Sequence, residues 1–457
     1  MARIASAARI GGRLGGVVAL GAVATGLATA APAQAATSTA ASCGPTCVVF
    51  TAPAGVVTGA ADAAAPLNAA LAKVAAGWTL QLPAGTYRVA KPVQVTASVT
   101  LAGVGMDRTR ILLDRRSWSA FGYSFAVTPA VGSVNATVRD LTVDGNRVAV
   151  DAVGAATAPA ANQGGGVKVG SGWTVQRVRL SNLNYFKVWA KDVTGVKVLD
   201  NKFEDLGAGV SGGNDNIGGG GVTGMVLTGN HVTTRAIGNS IDLVRSRNLT
   251  IANNRIDGTR ANPHNLYLEG VTDSTVSANT LNFSSISVQS NGGYASATEV
   301  VNPRGVTVAG NTITDPAVQG ISLRYDPTRG TNTTGGGNAI TNNTVVRPGA
   351  AGVITMAASN GLVTTADRIV GNTVTDAFVR GANSWNCGYG VTQAAGIAVG
   401  AGQGSEVSAN RIIDTRNAPL TKVGVQYGLA SSRGIKVATT TGAPNTVVRV
   451  AKAEVRV

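Results

Sequence analysis

One short pattern recurs along the chain and limits what it can fold into: an apolar residue, two variable residues, an asparagine, one more residue, then a second apolar residue. It reads VLDNKF, LTGNHV, IANNRI, VSANTL, VAGNTI, ITNNTV, IVGNTV and VSANRI, at Asn201, Asn230, Asn254, Asn279, Asn311, Asn343, Asn372 and Asn410. The interval is 24 residues from Asn230 to Asn254, 25 from Asn254 to Asn279, and 38 from Asn372 to Asn410. The short intervals match one turn of a β-solenoid, and the longer ones match the same turn with a loop inserted. LTVDGN (141–146) and VRLSNL (178–183) look like earlier, degenerate turns.

Between the asparagines lie short alternating segments: Ile241 to Arg245, Leu266 to Glu269, Ile286 to Gln289, Ile321 to Arg324 and Val353 to Met356. Period two over four or five residues predicts strands. In stacked turns identical side chains lie about 4.8 Å apart, so the repeated asparagines should hydrogen-bond in a ladder at a tight turn. This assigns them to structure rather than to chemistry. Helical periodicity is confined to 62–76, where Leu67, Leu71 and Val74 share a face, Asp62 is a candidate N-cap and Pro66 falls near the first turn. A short helix there would cap the end of the solenoid and cover unpaired backbone groups. Gly is abundant, at 60 residues, and aromatics are 4% of the chain, which suits strands and turns.

Residues 1–35 read as a secretory signal: Arg3, Arg9 and Arg13, an apolar run from Val17 to Ala31, and Ala33-Gln34-Ala35 as the cleavage pattern. Export is the expectation, with no membrane attachment once the signal is cleaved. Cys43 and Cys47 bracket Gly44-Pro45-Thr46, a turn that suits a local disulfide in an exported protein, and this leaves Cys387 over. No Cys/His cluster suggests zinc. The formal charge is +15, or +12 without the three signal arginines (15 − 3). A basic exported protein suits an acidic polysaccharide, and the scattered charges argue against a dedicated nucleic-acid binder.

The segment LPAGTYRVAKPVQVTASVTLAGVGMDRTRILLD, residues 82–114, resembles the opening of the pectate-lyase-like superfamily, in which a PAGTY turn leads into a V-T-L-x-G-x-G strand. The turns from about 134 to 415 resemble the right-handed parallel β-helix repeats of the same superfamily. The resemblance implies an all-β, single-stranded right-handed parallel β-helix with a short N-terminal helical cap. It implies lyases, hydrolases, epimerases, tailspikes or adhesins without choosing among them. Asn262-Pro263-His264 resembles the Asp-Pro-His of alginate C5-epimerases, with the Asp replaced. GNSIDLVRSRNLTIANN echoes the strand rhythm of polygalacturonases, without their catalytic motifs.

Alternation places Ile241, Leu243, Leu266, Leu268, Ile286, Val288, Ile321 and Leu323 inward. It places Asp242, Tyr267, Ser287 and Ser322 in one outward row, with Glu269, Gln289 and Arg324 in the next and Arg245 nearby. His264 and Tyr267 are candidate base and acid. Arg324 or Arg245 could neutralise a uronate carboxylate, as β-elimination requires. Asp242 and Glu269, one turn and two residues apart, lie roughly 8 Å apart along the backbone, nearer the inverting than the retaining carboxylate spacing. Trp189, flanked by Lys187 and Lys191, is a candidate sugar platform, with Arg245 and Gln289 as further substrate contacts. The bland alternatives are a solvated Asp242, a stacked Tyr267, a surface ion pair of Glu269 with Arg245, and a structural His231. The glycine run at 209–224 reads as a flexible insertion over the cleft edge. Asp215 in it could bind Ca²⁺, while no site for another metal or cofactor is evident.

These expectations give a signal (1–35), a linker with the local disulfide (36–47), and a β-helix (48–457) with its cap at about 48–80 and an irregular last turn from about 418. The expected function is a secreted, monomeric lyase cleaving an acidic, uronate-containing polysaccharide. The alternatives are an inverting glycoside hydrolase, a uronan C5-epimerase, or a non-catalytic carbohydrate-binding protein.

Overall fold

The computed structural model describes residues 43–114, 124–146, 164–183, 185–204, 215–233, 238–260, 265–291, 300–326, 335–357, 366–379, 394–400, 404–427 and 443–456. The signal segment, Cys387 and the Asn262-Pro263-His264 tripeptide lie outside these residues.

From Cys43 onward the described chain is a right-handed parallel β-helix. Its strands form two all-parallel sheets, of 24 and 13 strands. A representative turn contributes Ile241–Val244 to the smaller sheet and Thr250–Ala252 and Arg255–Asp257 to the larger one. Each strand pairs in register with its counterpart one turn on, as in Ile241↔Leu266 and Thr250↔Thr275. The eight residues assigned inward by alternation, from Ile241 to Leu323, are all buried. They line one continuous core that runs the length of the helix.

The asparagine ladder fixes the bend within the larger sheet. Asn254 is representative: its backbone N–H and Nδ2 both donate to Asn279 Oδ1, each at 2.9 Å, and Nδ2 also donates to the Leu227 carbonyl at 2.9 Å. The same links join Asn201, Asn230, Asn254, Asn279, Asn311, Asn343, Asn372 and Asn410, and they continue to Asn445. The expected irregular last turn therefore still carries the ladder, and it adds the strands Val423–Tyr427, Thr446–Val448 and Lys452–Arg456.

From Asn201 to Asn410 the residue before each ladder asparagine has positive φ. Gly or Asn fills this place in most turns, whereas Ala278 (φ 53°) and Ala409 (φ 53°) hold it against the steric cost of a Cβ.

The N-terminal helix is Ala64–Leu71, shorter than the 62–76 pattern. Asp62 Oδ1 accepts from the Ala64 N–H at 3.1 Å and from the Ala90 N–H at 2.9 Å, which ties the helix start to the first turns. Asn68 is bonded to both sides of Val93: Nδ2 donates to the Pro92 carbonyl and Oδ1 accepts from the Gln94 N–H. Val93–Val95 is the terminal strand of the 13-stranded sheet, so the helix caps that end. Cys43 and Cys47 form the expected disulfide.

Two substitutions test the ladder. Asn279→Ala leaves buried donors and acceptors of two neighbouring turns without partners and should cost about 3 kcal/mol or more, read as a lowered denaturation midpoint. Ala278→Gly removes the left-handed strain and should stabilise by about 1 kcal/mol. An unchanged midpoint for Asn279→Ala would show that the ladder contributes little.

Candidate active site

The outward face of the 13-stranded sheet forms the floor of a cleft of about 520 Å³, lined among others by Phe186, Trp189, Lys191, Asp215, Asp242 and Arg245. Register sorts its side chains. One row runs Lys168, Trp189, Gly218, Asp242, Tyr267, Ser287 and Ser322, each the Cα partner of the next. Two residues further along the strands run Lys191, Gly220, Val244, Glu269, Gln289 and Arg324.

The strand Ile217–Gly220 corrects the reading of 209–224 as a flexible insertion, since its second half is part of the floor. Its glycines are there for close approach. A Cβ on Gly219 would stand 1.7 Å from the Ala190 carbonyl oxygen, and one on Gly218 would stand 2.3 Å from the Phe186 ring.

Asp215, just before this strand, makes a contact at the cleft that the sequence reading did not foresee. The Asn239 N–H donates to its Oδ1 at 2.6 Å, and Asn239 Nδ2 donates to Asp242 Oδ2 at 3.2 Å. One asparagine thus holds two carboxylates toward each other. The signal was available: Asp215 lies 24 residues before Asn239, one short turn. Among the described residues, no three acidic, His or Cys side chains form a metal-binding group.

Glu269 alternates outward as expected but is 3% exposed rather than solvated. Gln289 roofs it, donating from Nε2 to Glu269 Oε1 at 2.7 Å. Lys187 is also corrected. It is completely buried, so it cannot touch a polymer as a flank of Trp189. It sits where the chain enters the strand Val188–Lys191, and its charge acts on Asp215 from within.

Tyr267 lies half-buried beside Asp242 in register, Arg324 lies half-buried beside Gln289, and Arg245 is exposed at the cleft. His231 lies on the other sheet, 2.8 Å from Asp257, in a structural place.

Three carboxylates therefore share a poorly solvated region. Burial, then the charges of Asp215 and Glu269, push the Asp242 carboxyl up to about 7, against the Asn239 hydrogen bond. Burial also raises Glu269 to about 7, opposed by the Gln289 hydrogen bond and reinforced by Asp215. Asp215 is raised by burial, but backbone N–H groups and Lys187 favour its charged form. Among the described residues, Asp242 Oδ1 and Glu269 Oε2 have no hydrogen-bond partner. A buried oxygen left this way favours the protonated acid, or a ligand that completes it.

The fold has solved counterparts. The mannuronan C-5 epimerase AlgE6 A-module of Azotobacter vinelandii superposes with a TM-score of 0.51 at 17% identity, covering 87% of this chain and 96% of its own. The catalytic unit of a GH87 α-1,3-glucanase from Streptomyces thermodiastaticus gives 0.54 at 16% identity, covering 88% and 69%. A family 28 exopolygalacturonase of Yersinia enterocolitica gives 0.54 at 11% identity, covering 85% and 79%. No protein-family model and no curated protein matches the chain. The architecture of this chain is the right-handed parallel β-helix that these three structures share.

The raised carboxyls predict a pH signature. A carboxyl raised in the folded state binds more protons folded than unfolded, so its contribution is fully present below about pH 4. That contribution is lost as pH rises through about 7. Asp242→Asn should therefore raise the thermal midpoint at pH 8 while changing it little at pH 4. Equal effects at both pH values would contradict the raised carboxyl.

Proposed function

We propose that the protein is a secreted polysaccharide-cleaving hydrolase whose acid–base pair is Asp242 and Asp215. The observation that carries this is the Asn239-linked pair of carboxylates lining the cleft. Two carboxyls flanking the scissile bond are the basis of glycoside hydrolysis. Glu269, the partner expected from sequence, is closed off beneath Gln289, whereas Asp215 lines the cleft.

In this reading the Asp242 carboxylic acid donates its proton to the glycosidic oxygen as the bond to the anomeric carbon breaks. Asp215, which accepts the Asn239 N–H and lies in the field of Lys187, acts as its carboxylate and takes a proton from a water that attacks the opposite face of that carbon. The leaving sugar departs as an alcohol, the anomeric configuration inverts, and proton exchange with solvent resets the pair. Asp215 lies opposite Asn239, three residues short of Asp242. The backbone separation is roughly 11 Å before both side chains reach toward Asn239, which leaves room for the water. Glu269 acts through its charge and burial, holding the proton on Asp242.

A second reading, β-elimination of a uronate chain, has Tyr267 as acid and Arg245 neutralising the substrate carboxylate. Its support is the register of Tyr267 beside Asp242 and the place of Arg245 at the cleft.

Incubation with pectate, alginate, glucuronan and neutral β- and α-glucans separates the readings. New reducing ends, with no rise in unsaturated-uronate absorbance and with inverted anomers by NMR, are expected. Asp242→Asn and Asp215→Asn should each lower turnover by about 100-fold or more. An absorbance rise would establish elimination in place of hydrolysis. Altered uronate configuration at unchanged chain length would establish epimerisation, and no change in any polymer would leave a binding protein.

A further inference from the structure

We infer that the end of the cleft beside Trp189 is a binding subsite for a sugar ring bearing an anionic group, with Trp189 as its platform and Lys168 and Lys191 as its anion contacts. This rests on the reading of the cleft as a glycan site.

Four rings form a continuous array on the turns that precede Asp242. Centroids lie 5.5 Å apart for Phe125 and Tyr185, 4.7 Å for Tyr185 and Phe186, and 4.3 Å for Phe186 and Trp189. The array is seated by missing side chains. A Cβ on Gly165 would meet the Phe125 ring at 2.3 Å, and one on Gly218 would meet the Phe186 ring at the same distance. Trp189 is the Cα partner of Gly218, and Gly218 is that of Asp242, so the indole stands two strand spacings from the carboxyl, roughly 10 Å. That is about the length of two linked pyranose units. Phe186 and Trp189 remain half-exposed and line the cleft. Apolar ring faces with a polar rim suit stacking against a pyranose.

The charge comes from two neighbours of the indole. Lys168 is the Cα partner of Trp189, and Lys191 is two residues along the same strand. Both are exposed, and among the described residues neither ammonium forms an ion pair. Elsewhere on the helix many surface charges are matched across turns, as in Arg177–Asp140, Arg347–Asp315 and Arg368–Glu406. The opposing charge at this end is the exposed Asp192, also at the cleft. An anionic substituent is thus attracted to the Trp189 end and repelled from the charges of Asp215 and Glu269, which orients the chain along the helix axis.

Calorimetry on full-length Asp242→Asn, chosen to slow turnover during the titration, tests this at moderate ionic strength. The probes are tri-galacturonate, a sulfated galactose trisaccharide, neutral galactotriose and a hexathymidylate. One or both anionic trisaccharides should bind at least tenfold tighter than galactotriose, the tighter one identifying carboxylate or sulfate as the preferred group. Adding K168Q and K191Q should weaken that ligand by about tenfold or more while leaving galactotriose unchanged. Adding W189A should weaken both sugars. Both lysines are exposed, so an unchanged thermal midpoint confirms that the double variant is folded. Neutral sugar binding as tightly as the anionic ones, or anionic binding insensitive to K168Q and K191Q, would overturn the subsite. Hexathymidylate binding as tightly as the sugars, with the same lysine dependence, would overturn the sugar assignment in favour of nucleic acid. Binding as expected in a protein that hydrolyses none of the polymers would sink the hydrolase reading and leave the subsite standing.

Discussion

The structure depends on the hydrogen-bonded stacking of like turns, and the buried asparagines bring it to its sharpest form. Each one satisfies the backbone of the turn behind it and is satisfied by the side chain ahead, so no member can shift without leaving a buried amide unpaired. This holds the larger sheet at a constant bend and thereby sets the register of the smaller one. The placing of Asp242 against Tyr267, and of Glu269 one strand and two residues away, is a product of that register.

The candidate site shows what this rigidity permits. Three acids close together in poorly solvated surroundings are an unfavourable arrangement, and the buried oxygens without partners are its visible sign. A solenoid tolerates it because the local cost is set against hydrogen bonds distributed over many turns. The site is divided chemically along the helix axis, with acids on the turns of Asp215 to Glu269 and rings with cations on the turns of Lys168 to Lys191.

Much of the fold could be read from the sequence because solenoid physics writes the same message in every turn. The asparagine spacing, the alternation from Ile241 to Leu323 and the Cys43–Cys47 turn are local signals. Asn445 lies 35 residues beyond Asn410 in a stretch without the full hexapeptide, so the pattern does not reveal it. The site was legible to the extent that alternation decides which way a residue faces, which identified Asp242. It did not reveal what covers a residue. Glu269 faces outward yet is roofed by Gln289, and Lys187 is buried where the chain turns into its strand. Asp215 was hidden by its glycine-rich setting. A flexible turn is the usual meaning of such a run, whereas here Gly218 and Gly219 make a strand beneath close-packed neighbours.

The unequal spacing of the ladder has its own consequence. Asn254 and Asn279 are 25 residues apart and Asn372 and Asn410 are 38, yet the side-chain bonds measure 2.9 and 3.0 Å. The additional length lies outside the ladder corner, in connections where lengthening a loop costs little. The molecule is therefore built like a threaded rod with exchangeable collars. Its pitch is held at one corner, while the connections outside that corner are free to change in length and composition. A change of collar would leave the thread untouched.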